Sequence, residues 1–351
     1  MHDDATDAPG AGSDTAAGVS IIVPVLQEAG YLETAVRHLL AQDHSGPLEI
    51  VLALGPSTDG TTELAHRLAA EDPRVVCVDN PTGRTPSGLN AAIRASHHPI
   101  IVRVDAHAEI PSDYVRVAVE TLTRTGADNV GGIMGASGVT PFERAVAAAM
   151  TSVFGVGAAS FHVGGEEGPA ATVYLGAFRR STLEEVGGYD ETFVRAQDWE
   201  MNHRIRSRGG LIWFTPRMHV TYRPRSSVRS LARQYRHYGR WRREVMRRHP
   251  ETARTPAALR YFAPPIVTLL VLLGLAEAIL GPLVGIGGWG LAFPLAYTVG
   301  VILVSPLVTR GAGAAVLARV PLVLATMHLA WGWGFLSSPR DLRDGEATGS
   351  R

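Results

Sequence analysis

Lysine does not occur among the 351 residues: all 33 basic side chains are arginine, set against 33 Asp and Glu. Its absence removes a P-loop lysine on a phosphate, Schiff-base catalysis and a lysine general base. Any phosphate must be held by Arg, a metal ion or backbone N–H groups. Cysteine is nearly absent as well. One residue, Cys77, excludes an internal disulfide and a thiolate zinc site, and its apolar setting, VVCVDN, predicts a buried strand thiol. Residues 1–17 lack a basic n-region and an apolar h-region, so they read as a flexible acidic arm and not as a signal peptide.

The formal net charge of zero is a sum of opposites. Residues 1–200 carry 12 Arg and 27 acids, residues 201–260 carry 16 Arg and 2 acids, and the remainder carries 5 and 4. A GC-rich genome accounts for arginine in place of lysine but not for this clustering, which calls for a partner.

From Val19 to Tyr222 short β-rich runs alternate with amphipathic stretches: VSIIVPV, YLETAVRHLLAQ, LEIVLAL, TTELAHRLAAE, RVVCVDN, SGLNAAIRA, PIIVRVD. The pattern predicts an α/β domain over residues 18–222, a mostly parallel, Rossmann-like sheet covered on both faces. Such sheets bind ligands at the carboxyl ends of their strands.

The last third is apolar. Ala263–Gly285 is interrupted only by Glu277, Ile286–Thr309 has no charge, and Val320–Leu336 follows Arg319. About three spans are expected over residues 263–336, with a tail at 337–351. Glu277 is expected to face another helix. Arg310 and Arg319 flank one turn, so the positive-inside rule places that side, and the N-terminal domain with it, in the cytosol of a multi-pass protein of the cytoplasmic (inner) membrane. A three-span count puts Arg340 and Arg343 outside, a conflict that a shallow third segment would resolve. Between the domain and the spans, residues 223–262 hold a stripe of Val228, Leu231, Tyr235, Tyr238, Trp241 and Val245 within an Arg-rich helix. That composition predicts an interfacial helix on anionic lipid. No nucleic-acid motif accompanies the charge, and no nucleic-acid partner is expected.

Asp105 and His107 follow the fourth predicted strand in IIVRVDAHAEIP. On extended chain, residues two apart share a face, so carboxylate and imidazole can ligate one divalent cation. The alternative is a strand-terminating Asp beside a surface His.

Taken in order, VSIIVPVLQEAGYLETAV, STDGT, RTPSGLNAAI, VRVDAHAEIP, GAFRR, VGGYDETF, AQDWEMNHRIRSRGG and YGRWR resemble glycosyltransferase family 2 with the GT-A fold, in its bacterial exopolysaccharide branch of succinoglycan-biosynthesis type. The likeness runs from Val19 to Arg243. It implies a nucleotide-sugar donor, a Mn2+ or Mg2+ ion and inversion at the anomeric carbon. Asp105 and His107 match the metal-binding Asp-x-Asp, with His in the last place, which favours Mn2+. Asp198 matches the catalytic base, against an N-cap reading of the same residue; Glu200 is the second candidate base. Pro24, Glu28, Asp59, Arg84 and Asn90 match donor-binding segments, with Arg84 able to pair a phosphate and Asn90 to cap a helix. Ser57 and Thr58 are expected in a turn and helix cap. Leu54 departs from the pattern, standing where relatives place an acid against the nucleotide base, so the base is left open. The Gly-rich stretch from Phe154 to Phe178 fits an acceptor-side loop. His237, Arg240 and Trp241 resemble the Gln-x-x-Arg-Trp motif, which places Arg240 and Trp241 at the donor, against a reading as ordinary interfacial residues.

The resemblance implies an inverting transfer of one sugar to a polyprenyl-diphosphate-linked or other lipid-linked acceptor at the cytoplasmic membrane face. A polyprenyl-phosphate monosaccharide synthase is the alternative within the class. Outside it stands a catalytically idle nucleotide-binding membrane scaffold, suggested by Leu54 and the missing second Asp.

Overall fold

A computed structural model describes residues 16–254, 258–284, 288–340 and 342. The expected acidic arm, apart from residues 16 and 17, and most of the tail, Arg343 included, lie outside these residues. The described elements run β1 (Val19–Val25), α1 (Leu32–Leu40), β2 (Leu48–Leu54), α2 (Thr61–Glu71), β3 (Val75–Asp79), α3 (Thr85–Ala95), β4 (Ile100–Arg103), α4 (Tyr114–Thr125) and β5 (Asn129–Ala136). Three helices follow, α5 (Pro141–Met150), α6 (Val153–Val156) and α7 (Ser160–Val163), then β6 (Gly168–Pro169), β7 (Tyr174–Arg179), α8 (Arg180–Val186), α9 (Gln197–Ser207) and β8 (Ile212–Tyr222). The C-terminal part is helical: α10 (Val228–Arg248), α11 (Leu259–Leu280), α12 (Ala292–Thr309), α13 (Ala314–Leu317) and α14 (Val320–Leu336).

The chain forms two compact units. The first comprises residues up to Gly132, Glu166–Glu191 and Met201–Val220; the second comprises Ile133–Gly165, Thr192–Glu200 and everything from Thr221.

In the first unit the sheet order is β3-β2-β1-β4-β7-β5-β8-β6. β3, β2, β1 and β4 are parallel, as the alternation of strand and helix requires. β7 then pairs antiparallel with both β4 and β5. Ile21, Ile50, Leu52 and Ile101 are fully buried, each worth about 1.5–3 kcal/mol of transfer free energy. Pro24 sits in a central strand because β4 stops pairing at Ile22↔Arg103, so the missing N–H faces no partner on that side. At Gly132, where the β5–β7 register shifts, an added Cβ would lie 1.8 Å from the Met218 carbonyl oxygen, so glycine is required by close backbone approach. Cys77 departs from expectation: on the edge strand β3 it is half-buried, and burial still pushes its thiol pKa up.

In the second unit, α11, α12 and the stretch Ala314–Leu336 are long and apolar enough to cross a membrane by length and composition. Ile279, Leu303 and Leu307 stay at least 65% exposed, a surface suited to hydrocarbon and not to water. The first helix starts at Leu259 and not at Ala263, taking in Arg260, whose guanidinium bonds the Tyr261 hydroxyl at 2.6 Å. Pro264 and Pro265 lie inside it. The second starts at Ala292, and the third reaches back to Ala314, so Arg319 falls within it. Glu277 Oε2 is buried, and a Cβ on Gly290 would meet it at 1.8 Å, consistent with a carboxyl turned toward neighbouring backbone.

The expected interfacial helix is shorter, α10, started by a Ser227–Ser230 capping box. Its stripe is mostly not free for lipid. Leu231, Tyr235, Trp241 and Val245 are buried in protein, and only Val228 and Tyr238 stay exposed. The physical reason is packing on α14, where a Cβ at Gly239 would come 2.0 Å from the Trp331 oxygen. Arg243 caps the helix end opposite it, donating to the Phe335 and Leu336 carbonyls at 2.8 Å each.

Candidate active site

The carboxyl ends of β1, β2 and β4 converge on one edge of the first unit, and their loops are tied by specific bonds. Three successive backbone N–H groups after β1 are captured by the STDGT turn: Gln27 donates to Ser57 Oγ (3.1 Å), Glu28 to Thr61 Oγ1 (2.8 Å) and Ala29 to Asp59 Oδ2 (3.1 Å). Asp59 Oδ1 also accepts from the Thr61 N–H and hydroxyl, at 3.1 and 2.5 Å. The Thr61 hydroxyl bond comes first among the causes that hold the Asp59 carboxyl below its ordinary value. Gln27 adopts φ +57°, a left-handed conformation that a non-glycine residue enters only when its surroundings compensate. Asp59 thus serves here as a latch that fixes the loop bearing Glu28.

That loop places Glu28, 5% exposed, with Oε1 3.0 Å from His107 Nδ1. With Nδ1–H donating to Glu28 Oε1, the lone pair of a neutral His107 ring lies on Nε2. Asp105 Oδ1 accepts from Arg103 Nε and Nη2 at 3.3 and 3.1 Å. The strand argument for the Asp105/His107 pair needs correction. β4 ends at Arg103, and Asp105–Ala108 form a turn closed by the Ala108 N–H on the Asp105 carbonyl at 2.8 Å. The turn, not extended chain, sets the two side chains.

Asp105 and His107 are of types that can ligate a divalent cation. Asp105 offers oxygen, and His107 offers Nε2 with a carboxylate behind Nδ1, the carboxylate–histidine arrangement that orients metal-bound imidazoles. An orphaned buried polar atom lies nearby: the Tyr114 hydroxyl is wholly buried without a hydrogen-bond partner. Burial, then the charge of Asp105, pushes the Tyr114 pKa up.

Arg84 stands at the start of α3. Its charge, after hydrogen bonds from Asn90 and Ser87, helps hold the Glu191 carboxyl below its ordinary value. Asn90 does not cap a helix. It sits within α3, donates to Tyr189 O (2.8 Å) and Glu191 Oε1 (3.0 Å), and accepts from the Tyr189 N–H (2.8 Å), clamping residues 189–191. Leu54 is buried in the apolar core.

Asp198 belongs to the second unit, in the first turn of α9. It is not the N-cap, because the residue before the helix is Ala196, at φ +59°, whose carbonyl takes the Glu200 N–H at 3.0 Å. Asp198 is half-buried, whereas Glu200 is 2% exposed, with Oε1 3.8 Å from His249 Nε2. Asp198 is thus the more accessible of the two carboxylates. Trp241 packs in a cluster with Phe193 and Val245, its ring centroid 6.0 Å from that of Phe193. This packing helps to seat α10. Arg240 is half-buried one residue earlier, and its carbonyl accepts from Ser338 Oγ at 3.3 Å.

Several contributors were not singled out from sequence. Thr61 lay at the end of a recognised turn, yet its hold on Glu28 joins residues 33 apart. Tyr114 carries no motif, and Glu191 lay within VGGYDETF without a role. Trp199, beneath the Arg242 guanidinium at 4.8 Å, was part of AQDWE without a role.

Comparison with known proteins gives a consistent result. Glycosyl transferase family 2 matches residues 20–187. The chain is 34% identical over 331 residues to succinoglycan biosynthesis protein ExoA of Rhizobium meliloti (strain 1021), covering 92% of this chain and 95% of the relative. It is 24% identical over 230 residues to the dolichyl N-acetyl-alpha-D-glucosaminyl phosphate 3-beta-D-2,3-diacetamido-2,3-dideoxy-beta-D-glucuronosyltransferase of Methanococcus voltae, covering 63% and 71%. The structure of mannosyltransferase PcManGT from Pyrobaculum calidifontis, in complex with GDP-Man and Mn2+, matches with TM-score 0.56 at 22% identity, covering 89% of this chain and 86% of that one. This last likeness supports the GT-A fold.

Proposed function

The chain belongs to glycosyl transferase family 2, and on that premise we propose that it moves one sugar, with inversion, from a nucleotide-sugar donor to a lipid-linked glycan acceptor at the cytoplasmic face of a membrane. The observation that carries the reading is the Glu28–His107 pair beside Asp105, at the strand ends where a parallel sheet binds its ligand. A relative whose name specifies a dolichyl-linked sugar phosphate, and three helices apolar enough to cross a membrane, support a lipid-borne acceptor. Arginines on α10 support contact with anionic lipid.

Asp105 and His107 would hold a divalent cation, Mn2+ by preference, and when bound it would neutralise charge on the departing nucleotide diphosphate. Glu28 orients the His107 ring and Arg103 fixes the Asp105 carboxylate. Arg84 pairs with donor phosphate, the task that lysine performs elsewhere. Asp198 takes the proton of the acceptor hydroxyl as its oxygen bonds to the anomeric carbon. The bond to the diphosphate breaks on the opposite side, its electron pair leaving with the phosphate oxygen.

Sugar transfer in membranes, from a panel of nucleotide sugars to endogenous lipid extract, tests the proposal. Wild-type chain should label a lipid product, while Asp105→Ala and Asp198→Ala should each abolish it. Undiminished transfer by both variants would refute the assignment, and an acid-labile product would mark a lipid phosphate as the acceptor.

A further inference from the structure

The first half of α10 borders a cleft. Arg233, Gln234, His237 and Tyr238, at three- and four-residue steps on one face of the helix, line it together with Arg195 and Arg225, in a space of about 410 Å³ counted to its open mouth. All six belong to the second unit. Among the described residues no carboxylate lines the cleft. Arg195, Arg225 and Arg233 therefore bring three guanidiniums to one concavity.

His237 registers the same field. Burial, followed by Arg195, Arg240, Arg236 and Arg233, pushes its imidazole down to about 4, so the ring is neutral at pH 7. Gln234 Nε2 donates to the hydroxyls of Tyr222 and Tyr238 at 2.8 Å each. Accepting from the amide leaves the Tyr238 O–H proton available as a further donor. Gln234 Oε1 is buried without a partner.

These donors suit a doubly charged phosphorus oxyanion, because planar guanidinium forks bind phosphate oxygens in pairs. The helix indicates where such an anion comes from. α10 packs along α14, whose stretch is apolar enough to cross a membrane, and exposed Val228 and Tyr238 give the same helix an apolar surface. We propose that this cleft seats the dianionic phosphate or diphosphate head of an isoprenoid-linked acceptor. The identity of the lipid rests on the transferase reading; the anion site rests on the cleft itself.

The test uses full-length protein in detergent and titrates farnesyl phosphate and farnesyl diphosphate against wild type, Arg225→Gln, Arg233→Gln and the double variant. Farnesol and inorganic pyrophosphate form the other arms, Arg37→Gln on the exposed face of α1 is the control, and binding of Mn2+ with GDP or UDP is measured on each sample. Each lost guanidinium should weaken binding of the farnesyl head groups about tenfold, with nucleotide binding unchanged and farnesol bound far more weakly. The single variants carry the result if the double variant fails to fold. Equal farnesyl diphosphate affinity in wild type and variants would overturn the proposal. Pyrophosphate bound as tightly as farnesyl diphosphate would do so too, by marking a site for soluble anions. If no donor sugar is ever turned over while Arg-dependent farnesyl binding persists, the transferase reading fails and the anion site stands.

Discussion

Glu28 Oε1 lies 3.0 Å from His107 Nδ1, across 79 residues of sequence. The contact fixes the orientation of an exposed imidazole that, on the proposed reading, would ligate the cation. Replacing Glu28 by Ala should therefore weaken Mn2+-dependent nucleotide binding about 10–100-fold, the usual cost of losing a partner behind a ligating histidine. Calorimetric titration of GDP and UDP at several Mn2+ concentrations measures it, and His107→Ala should lose at least as much.

The Asp59 latch makes a separate prediction. Asp59→Ala frees the Ala29 and Thr61 N–H groups and loosens the loop that bears Glu28. Donor KM should rise about tenfold with a smaller change in kcat. Asp59→Asn, which keeps an accepting oxygen, should recover part of the loss in steady-state assays.

Gly239 is required by the approach of α14. A Cβ there would fall 2.0 Å from the Trp331 oxygen and 2.8 Å from the Phe335 nitrogen, so Gly239→Ala must shift backbone. Overpacking of this kind costs about 1–3 kcal/mol. The thermal midpoint in detergent should drop by several degrees, whereas Ala in place of exposed Arg229 should leave it unchanged.

His162 makes stability depend on pH. Burial, then Arg260, pushes its imidazole down to about 4, below the value of about 6.5 expected in the unfolded chain. The unfolded state binds more protons between these values, so the contribution is fully present above about pH 6.5 and is lost as pH falls toward 4. The ring is half-buried, so the loss should be about 2 kcal/mol, less than the full shift would give. Thermal denaturation from pH 7.5 to 4.5 should show this slope, and His162→Leu should flatten it.

Much of the first unit is legible in the sequence. The apolar runs around Ile21, Leu52 and Ile101 mark strands, and the polar residues after each strand mark the binding edge. Asp105 and His107 were singled out that way as candidates, although the geometry expected of them was extended and the chain turns there, because the short β4 stops at Arg103. What local pattern could not carry was distance in sequence. Thr61 holding Glu28, Tyr114 beside Asp105 and the clamp of Asn90 on Tyr189 join residues that no periodicity relates. The same holds for α10, where a stripe that read as lipid-facing is taken up by protein, and for the clustering of residues 133–165 with the C-terminal helices.

That clustering bears on the order of folding. The chain alternates between the two units in six stretches, so it crosses between them five times. The last strand of the sheet is complete by Tyr222, but α5 buries Ala145, Val146, Ala149 and Met150 in the unit that contains α12, α13 and α14. During synthesis those side chains emerge more than a hundred residues before that unit is complete. A truncation at residue 222 would leave them permanently bare, so removing the apolar helices should yield an aggregation-prone fragment in place of a soluble sheet domain.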